Sequence, residues 1–173
     1  MSTEKKIWLL VLFFAGLFSY AVYNVYRPDT GPMSFVRGEV RVLNENVIVG
    51  PYPTERELIR LKKRGVVGVI SLMDGDSTVE SVLVGEEKKL AAVVGLRFAN
   101  FPMDFSRLDS DDNKGHLADA VAHVLSLDKD KTLVYVHCYL GRHRVGSFER
   151  EFGKAYSLSG STGRSGASQS LSR

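Results

Sequence analysis

The sequence predicts an α/β domain with a mostly parallel central sheet flanked by helices, preceded by one transmembrane helix. Three observations predict it. Val66–Leu72 and Leu133–Val136 are continuous apolar runs, as expected of strands buried on both faces. Stretches with apolar residues at helical spacing alternate with such runs, which argues for a parallel sheet covered by helices. Near the start, Ile7–Tyr26 runs 20 residues without a charge.

The chain has 173 residues, 44% hydrophobic and 25% charged, an ordinary globular balance. A net charge of +3 with no long basic run gives no case for a nucleic-acid partner. A single cysteine excludes an internal disulfide framework and a cysteine-based zinc site. His116 and His123 lie seven apart on a predicted helix and read as packing or surface residues. No histidine and carboxylate set has metal spacing, so neither metal nor cofactor is predicted.

Residues 1–26 form a polar start and an apolar segment. As a helix of about 1.5 Å per residue, Ile7–Tyr26 spans a bilayer core of about 30 Å. Trp8 sits near one end and Tyr20, Tyr23 and Tyr26 near the other, an aromatic-belt arrangement. The rival is a cleaved signal peptide, with Ser19-Tyr20-Ala21 as its small-x-small site. The absence of a polar face argues against a soluble core helix, and a retained single-pass anchor is the expectation. Lys5 and Lys6 stand against Arg27, Arg37 and Arg41, a poor discriminator that leans towards a domain outside the cytoplasm.

Residues 27–39, with Pro28, Gly31 and Pro32, read as a linker, and residues 40–157 as the soluble domain. Val40–Leu43 and Val47–Val49 around Asn44-Glu45-Asn46 predict a hairpin. Thr54 with Glu57 three residues on is a capping box. It opens a short helix carrying Leu58 and Leu61 and ending at Gly65. Val66–Leu72 is a strand, Glu86–Val94 a helix and Leu96–Phe101 a strand. Asp109-Ser110-Asp111-Asp112 offers N-caps for a helix over Asn113–Leu127. Thr132–His137 is the last strand, and Val145–Tyr156 a helix weakened by Gly146 and Gly153. Residues 158–173, rich in Ser and Gly, read as a flexible tail that leaves little to cover that face of the sheet.

Chemistry concentrates where that last strand ends. His137 and Cys138 close the run, Gly141 interrupts the next residues, and Arg144 follows Cys138 after five residues. A strand that breaks into a short glycine-containing loop before a helix gathers backbone N–H groups and the positive helix end onto one spot. Such a spot favours the thiolate of a cysteine that opens the loop. The arginine that closes it supplies a fork fitted to phosphate. The competing reading is a buried free cysteine at a strand end.

At His137, Cys138, Gly141 and Arg144 the chain resembles the cysteine-dependent protein tyrosine phosphatase superfamily, in particular the dual-specificity phosphatase-like group. Asn46–Asp74, with its Gly-Pro-Tyr-Pro turn, and Gly95–Asp104 are similar to further segments of that group, so the likeness covers about Val40–Val145. It implies hydrolysis of phosphate monoesters in phosphoprotein or phospholipid through a phosphocysteine intermediate. Cys138 would be the nucleophile and Arg144 the phosphate clamp. Tyr139, Leu140, Gly141, Arg142 and His143 would bind substrate through the loop, with His137 supporting the cysteine.

The leaving oxygen needs a proton from another loop. Asp104, after a predicted strand and Pro102, is the candidate acid, with Asp109, Asp111, Asp112, Asp74 and Asp76 as rivals. Arg142 and His143 add positive charge near the loop mouth. The family places Ser or Thr after the arginine, whereas this chain has Val145. That departure and the short carboxyl end favour an alternative, a weak pseudophosphatase that binds phosphorylated partners. A rhodanese-like sulfur-transfer loop is a third reading, opposed by the spacing to Arg144 and by Asp104.

Overall fold

The computed structural model describes residues 3–26, 31, 33–129 and 131–165. The chain divides into two compact units, residues 1–37 and 38–173. In the first, α1 (Thr3–Tyr26) is one 24-residue helix, apolar over a length that suffices to cross a bilayer. Asn24 Nδ2 donates back to Tyr20 O at 2.7 Å. The expected linker, residues 27–39, contains one helical turn, α2 (Met33–Val36), held by Ser34 N and Oγ on Gly31 O. Residues 27–30 and 32 of that linker lie outside the described residues.

The second unit is an α/β sandwich. Its five strands are β1 (Arg41–Asn44), β2 (Val47–Pro51), β3 (Gly68–Ser71), β4 (Arg97–Asn100) and β5 (Val134–Cys138). They lie in the order β1-β2-β5-β3-β4, parallel except for the β1–β2 hairpin. The helices are α3 (Glu55–Lys63), α4 (Glu80–Val94), α5 (Asp111–Lys129) and α6 (His143–Ser165). At α3 the capping box forms in full. Glu57 N donates to Thr54 Oγ1 at 3.3 Å, and Thr54 N to Glu57 Oε2 at 2.8 Å.

Strand alternation divides the core. Val47, Val49, Ile70, Val134, Val136 and Cys138 face α5 and α6, where they meet Val121, Val124, Val145, Phe148 and Phe152. Ile48, Val69 and Tyr135 face α3 and α4, where they meet Leu58, Leu61 and Ala91. Val145, Phe148, Phe152 and Ala155 recur on one face of α6 and cover the sheet there. An open groove of about 630 Å³ remains between α5 and α6.

Two boundaries differ from expectation. The helix expected over Glu86–Val94 begins at Glu80, with Glu80 N donating to Ser77 Oγ at 3.0 Å. The helix expected to stop at Tyr156 continues to Ser165, into residues 158–173 expected as a flexible tail. Extending an existing helix avoids the cost of nucleation, which offsets part of the weak helix propensity of these Ser and Gly residues. Residues 166–173 of that tail lie outside the described residues.

Candidate active site

β5 is the central strand, and its end delivers Cys138, only 3% exposed, to the loop that opens α6. The loop's outward carbonyls are bonded: Tyr52 N donates to Tyr139 O at 3.2 Å, and Gly38 N to Leu140 O at 2.7 Å. In a trans peptide the N–H points opposite to the C=O. Those bonds therefore turn the Leu140 and Gly141 N–H groups away from Tyr52 and Gly38. Gly141 has φ +69°, and a Cβ there would collide with the backbone of Gly50 and Pro51. Glycine is required at this position by both conformation and space.

Arg144 lies in the first turn of α6 and is 3% exposed. Its Nη1 donates to Glu80 Oε2 at 2.6 Å and to Met103 O at 2.9 Å, and its Nη2 donates to Glu80 Oε1 at 2.5 Å. These bonds use three of the five guanidinium N–H groups. The Nε–H and the second Nη2–H form the edge suited to fork onto an oxyanion, and the guanidinium also has the Cys138 side chain as a hydrogen-bond partner. Burial works against the charge of Arg144. The hydrogen bond and charge of Glu80, together with the neighbouring Cys138, outweigh it and push the guanidinium above its ordinary value.

Tyr139 is half-buried, and burial, with Glu80 adding, pushes its phenol up. Leu140 is half-buried, while Arg142 and His143 are exposed at the start of α6. Gly146 N on Arg142 O at 2.7 Å closes the first helical turn. Val145 is fully buried in the core on the α5–α6 side.

Asp104 follows β4, one residue after the Met103 carbonyl that Arg144 holds. The chain thus brings its loop against the loop of Cys138. Asn113 fixes the backbone there, accepting from Asp104 N at 2.9 Å and donating to Asp104 O at 2.7 Å. The Asp104 carboxylate caps a 3₁₀ turn, Phe105–Arg107. It accepts from Ser106 Oγ at 2.7 Å, Ser106 N at 2.8 Å and Arg107 Nε at 2.8 Å. The Ser106 hydroxyl, then Arg107, then the Ser106 amide hold it at about 2, so in this arrangement it is ionised.

Two of the rival acids have structural partners for their carboxylates. Asp74 Oδ1 accepts from Asp76 N at 3.0 Å, and Asp111 pairs with Lys114 at 3.0 Å. Asp109 and Asp112 lie exposed around the start of α5. His123 packs on Phe101, ring centroids 5.5 Å apart. Among the described residues no three His, Cys, Asp or Glu side chains gather as a metal site.

His137 sits beside Cys138 in the chain, yet strand alternation sends its side chain to the other face of the sheet. There it meets the equally buried Glu87 of α4, Nε2 to Oε1 at 2.7 Å. Sequence reasoning missed both glutamates. Glu80 and Glu87 are seven apart on one face of α4, a weak signal in a segment whose helix start was not legible.

Among solved structures, one protein of Shewanella putrefaciens CN-32, a candidate phosphatase (DUF442), is similar in two crystal structures. One is 23% identical with TM-score 0.53, covering 65% of this chain and 68% of that chain. The other is 24% identical with TM-score 0.50, covering 65% and 66%. The chain has the fold of this candidate phosphatase. It spans about two thirds of the length of those structures. TpbA of P. aeruginosa is 16% identical with TM-score 0.49, covering 63% of this chain and 58% of that one. No protein-family model and no curated protein matches the chain.

Proposed function

We propose that the protein is a membrane-anchored phosphatase that hydrolyses phosphate monoesters of phosphotyrosine, phosphoserine or phosphothreonine proteins, or of phospholipid. The observation that carries this reading is the buried Arg144 fork, aimed by Glu80 and adjacent to Cys138 at the end of the central strand. Cys138 attacks phosphorus in line as thiolate, the S–P bond forming as the ester P–O bond breaks. The leaving oxygen takes its proton from Asp104. Water then attacks phosphorus, Asp104 accepts its proton, and the S–P bond breaks to release phosphate. For the first step Asp104 must leave Ser106 and Arg107, because an acid held ionised donates nothing. The loop residues Tyr139–His143 supply N–H donors to the phosphoryl oxygens, whose charge grows in the transition state.

The length and composition of α1 support the anchor, and a signal sequence has the same length and composition. Carbonate extraction of membranes from expressing cells separates the two. An integral protein stays with the membrane, whereas a cleaved one is released and lacks residues 1–21.

The enzyme is tested with the full chain in detergent against an aryl phosphate, beside Cys138→Ser and Asp104→Ala. Loss of turnover in the first variant and a strong reduction in the second support the reading. A folded wild-type chain without turnover that still binds phosphopeptide supports the second reading, a pseudophosphatase, which the buried Val145 favours.

A further inference from the structure

Beneath the loop, on the far face of the sheet, His137 and Glu87 form a closed polar pair. Both side chains are fully buried, with Nε2 and Oε1 2.7 Å apart. Among the described residues, none of their four polar atoms has a hydrogen-bond partner beyond that contact. The walls are aromatic. The Tyr135 ring stacks on the imidazole at 5.8 Å and 15°, and the Tyr52 ring meets it edge-on at 6.0 Å. Both hydroxyls donate elsewhere, Tyr135 to Pro51 O at 2.6 Å and Tyr52 to Leu83 O at 3.2 Å.

Such a compartment cannot hold a net charge cheaply, which selects the proton arrangement. A bare carboxylate facing a neutral imidazole leaves one negative charge buried. Neutral pairs carry one further proton, held between Oε1 and Nε2. If it lies on Glu87, the acid donates to Nε2, the strongest donor meeting the strongest acceptor, and the ring's own hydrogen is on Nδ1. If it lies on His137, the ring carries hydrogens on both nitrogens. Either way Nδ1 bears a hydrogen. Which imidazole nitrogen is protonated follows from the hydrogen bond that the other nitrogen makes.

We propose that Glu87 is a positioning residue, fixing the His137 ring with a hydrogen on Nδ1 at the strand end that presents Cys138. This rests on Cys138 being the nucleophile of the proposed reaction. His137 pairs with Gly50 on one side and Ser71 on the other, and its carbonyl accepts from Leu72 N at 2.8 Å. A ring locked from behind thus anchors the last residue before the nucleophile. Without Glu87 the ring exchanges tautomers and rotamers, and the junction loses its single geometry.

The test uses the full chain in detergent micelles, labelled with ¹⁵N at histidine, and long-range imidazole ¹H–¹⁵N correlation. Wild-type His137, assigned by its loss in His137→Gln, is expected to carry a hydrogen on Nδ1. A ring protonated on Nε2 alone overturns the proposal. Kinetics add a second criterion. In Glu87→Gln the amide still donates to Nε2 and keeps the hydrogen on Nδ1, so kcat stays within about twofold of wild type. Glu87→Leu, apolar and of similar volume, leaves the buried imidazole without its partner and is destabilised, so its fold is checked on the kinetic samples. Its kcat falls about tenfold with KM unchanged, because Arg144 and the loop amides still bind phosphate. A Leu variant with full kcat, or a Gln variant as impaired as the Leu variant, overturns the proposal. A wild type without turnover sinks the phosphatase reading instead, and the spectrum still decides the tautomer.

Discussion

Glu80 grips Arg144 with both carboxylate oxygens, Oε2 on Nη1 at 2.6 Å and Oε1 on Nη2 at 2.5 Å. The first residue of α4 thereby aims the cation that opens α6, across 64 residues of sequence. Oε2 also accepts from Asp74 N at 2.7 Å, so the same carboxylate holds the loop after β3. Glu80→Gln keeps the shape but replaces a charged two-point clamp by one neutral acceptor. Hydrogen bonds to charged groups contribute about 1.5–3 kcal/mol, so kcat/KM of the proposed reaction falls about 10–100-fold. Removing the partner altogether in Glu80→Ala leaves a buried cation and costs about 3 kcal/mol of stability. Steady-state kinetics and denaturant melts read the two effects. A Glu80→Ala chain with wild-type kcat/KM would show that Arg144 needs no aiming.

Gly141→Ala tests the loop itself. The positive φ costs about 1–2 kcal/mol for a residue with a Cβ, and the collision with Gly50 and Pro51 adds to it. The expected outcome is a folded but destabilised chain with turnover at background, because the loop can accommodate the methyl group only by moving. Activity retained in the alanine variant would rule out the loop geometry as the catalytic one.

Asp104 gives a pH prediction with a definite sign. Ser106 and Arg107 lower it from 3.8 to about 2, which favours the ionised form. An acid catalyst acts in its protonated form, so these contacts oppose the first chemical step. Arg107→Ala removes one hydrogen bond and one charge, and Asp104 moves back up towards its ordinary value. The alkaline limb of the kcat/KM profile for an unactivated alkyl phosphate therefore shifts to higher pH. The stability that these contacts confer is present above the ordinary carboxylate value and is lost as pH falls towards about 2. A limb that stays in place in Arg107→Ala removes Asp104 as the acid.

Val145 predicts the kinetic course. The family that the loop resembles places at this position a hydroxyl that eases thiolate departure, and here a fully buried valine takes its place. Wild type is expected to show a burst of alcohol release followed by slow turnover, with phosphocysteine trapped on acid quench. Val145→Thr should shorten the slow phase and cost about 1–3 kcal/mol, since its hydroxyl enters an apolar core. Linear progress curves without trapped intermediate contradict the prediction.

Local rules determined much of this protein. Continuous apolar runs set β3 and β5, the Thr54–Glu57 box set the start of α3, and the spacing from Cys138 to Arg144 set the loop. Each depends on neighbours within a few residues, so a linear reading reaches it. The contacts that complete the site do not. Glu80 meets Arg144, and Met103 meets Arg144, only because β3 lies beside β5 in the sheet and β4 beside β3. His137 turns from Cys138 towards Glu87 because adjacent strand residues point to opposite faces, and only the packing of α4 decides what waits there. The end of α6 was misread for a related reason. Composition records the weak helix propensity of Ser and Gly, whereas the cooperativity of an established helix is a property of the folded chain. Sequence alone therefore placed Cys138 and Arg144, and tertiary structure supplied the carboxylates of Glu80 and Glu87 that meet Arg144 and His137, since packing sets the partners of a buried polar group.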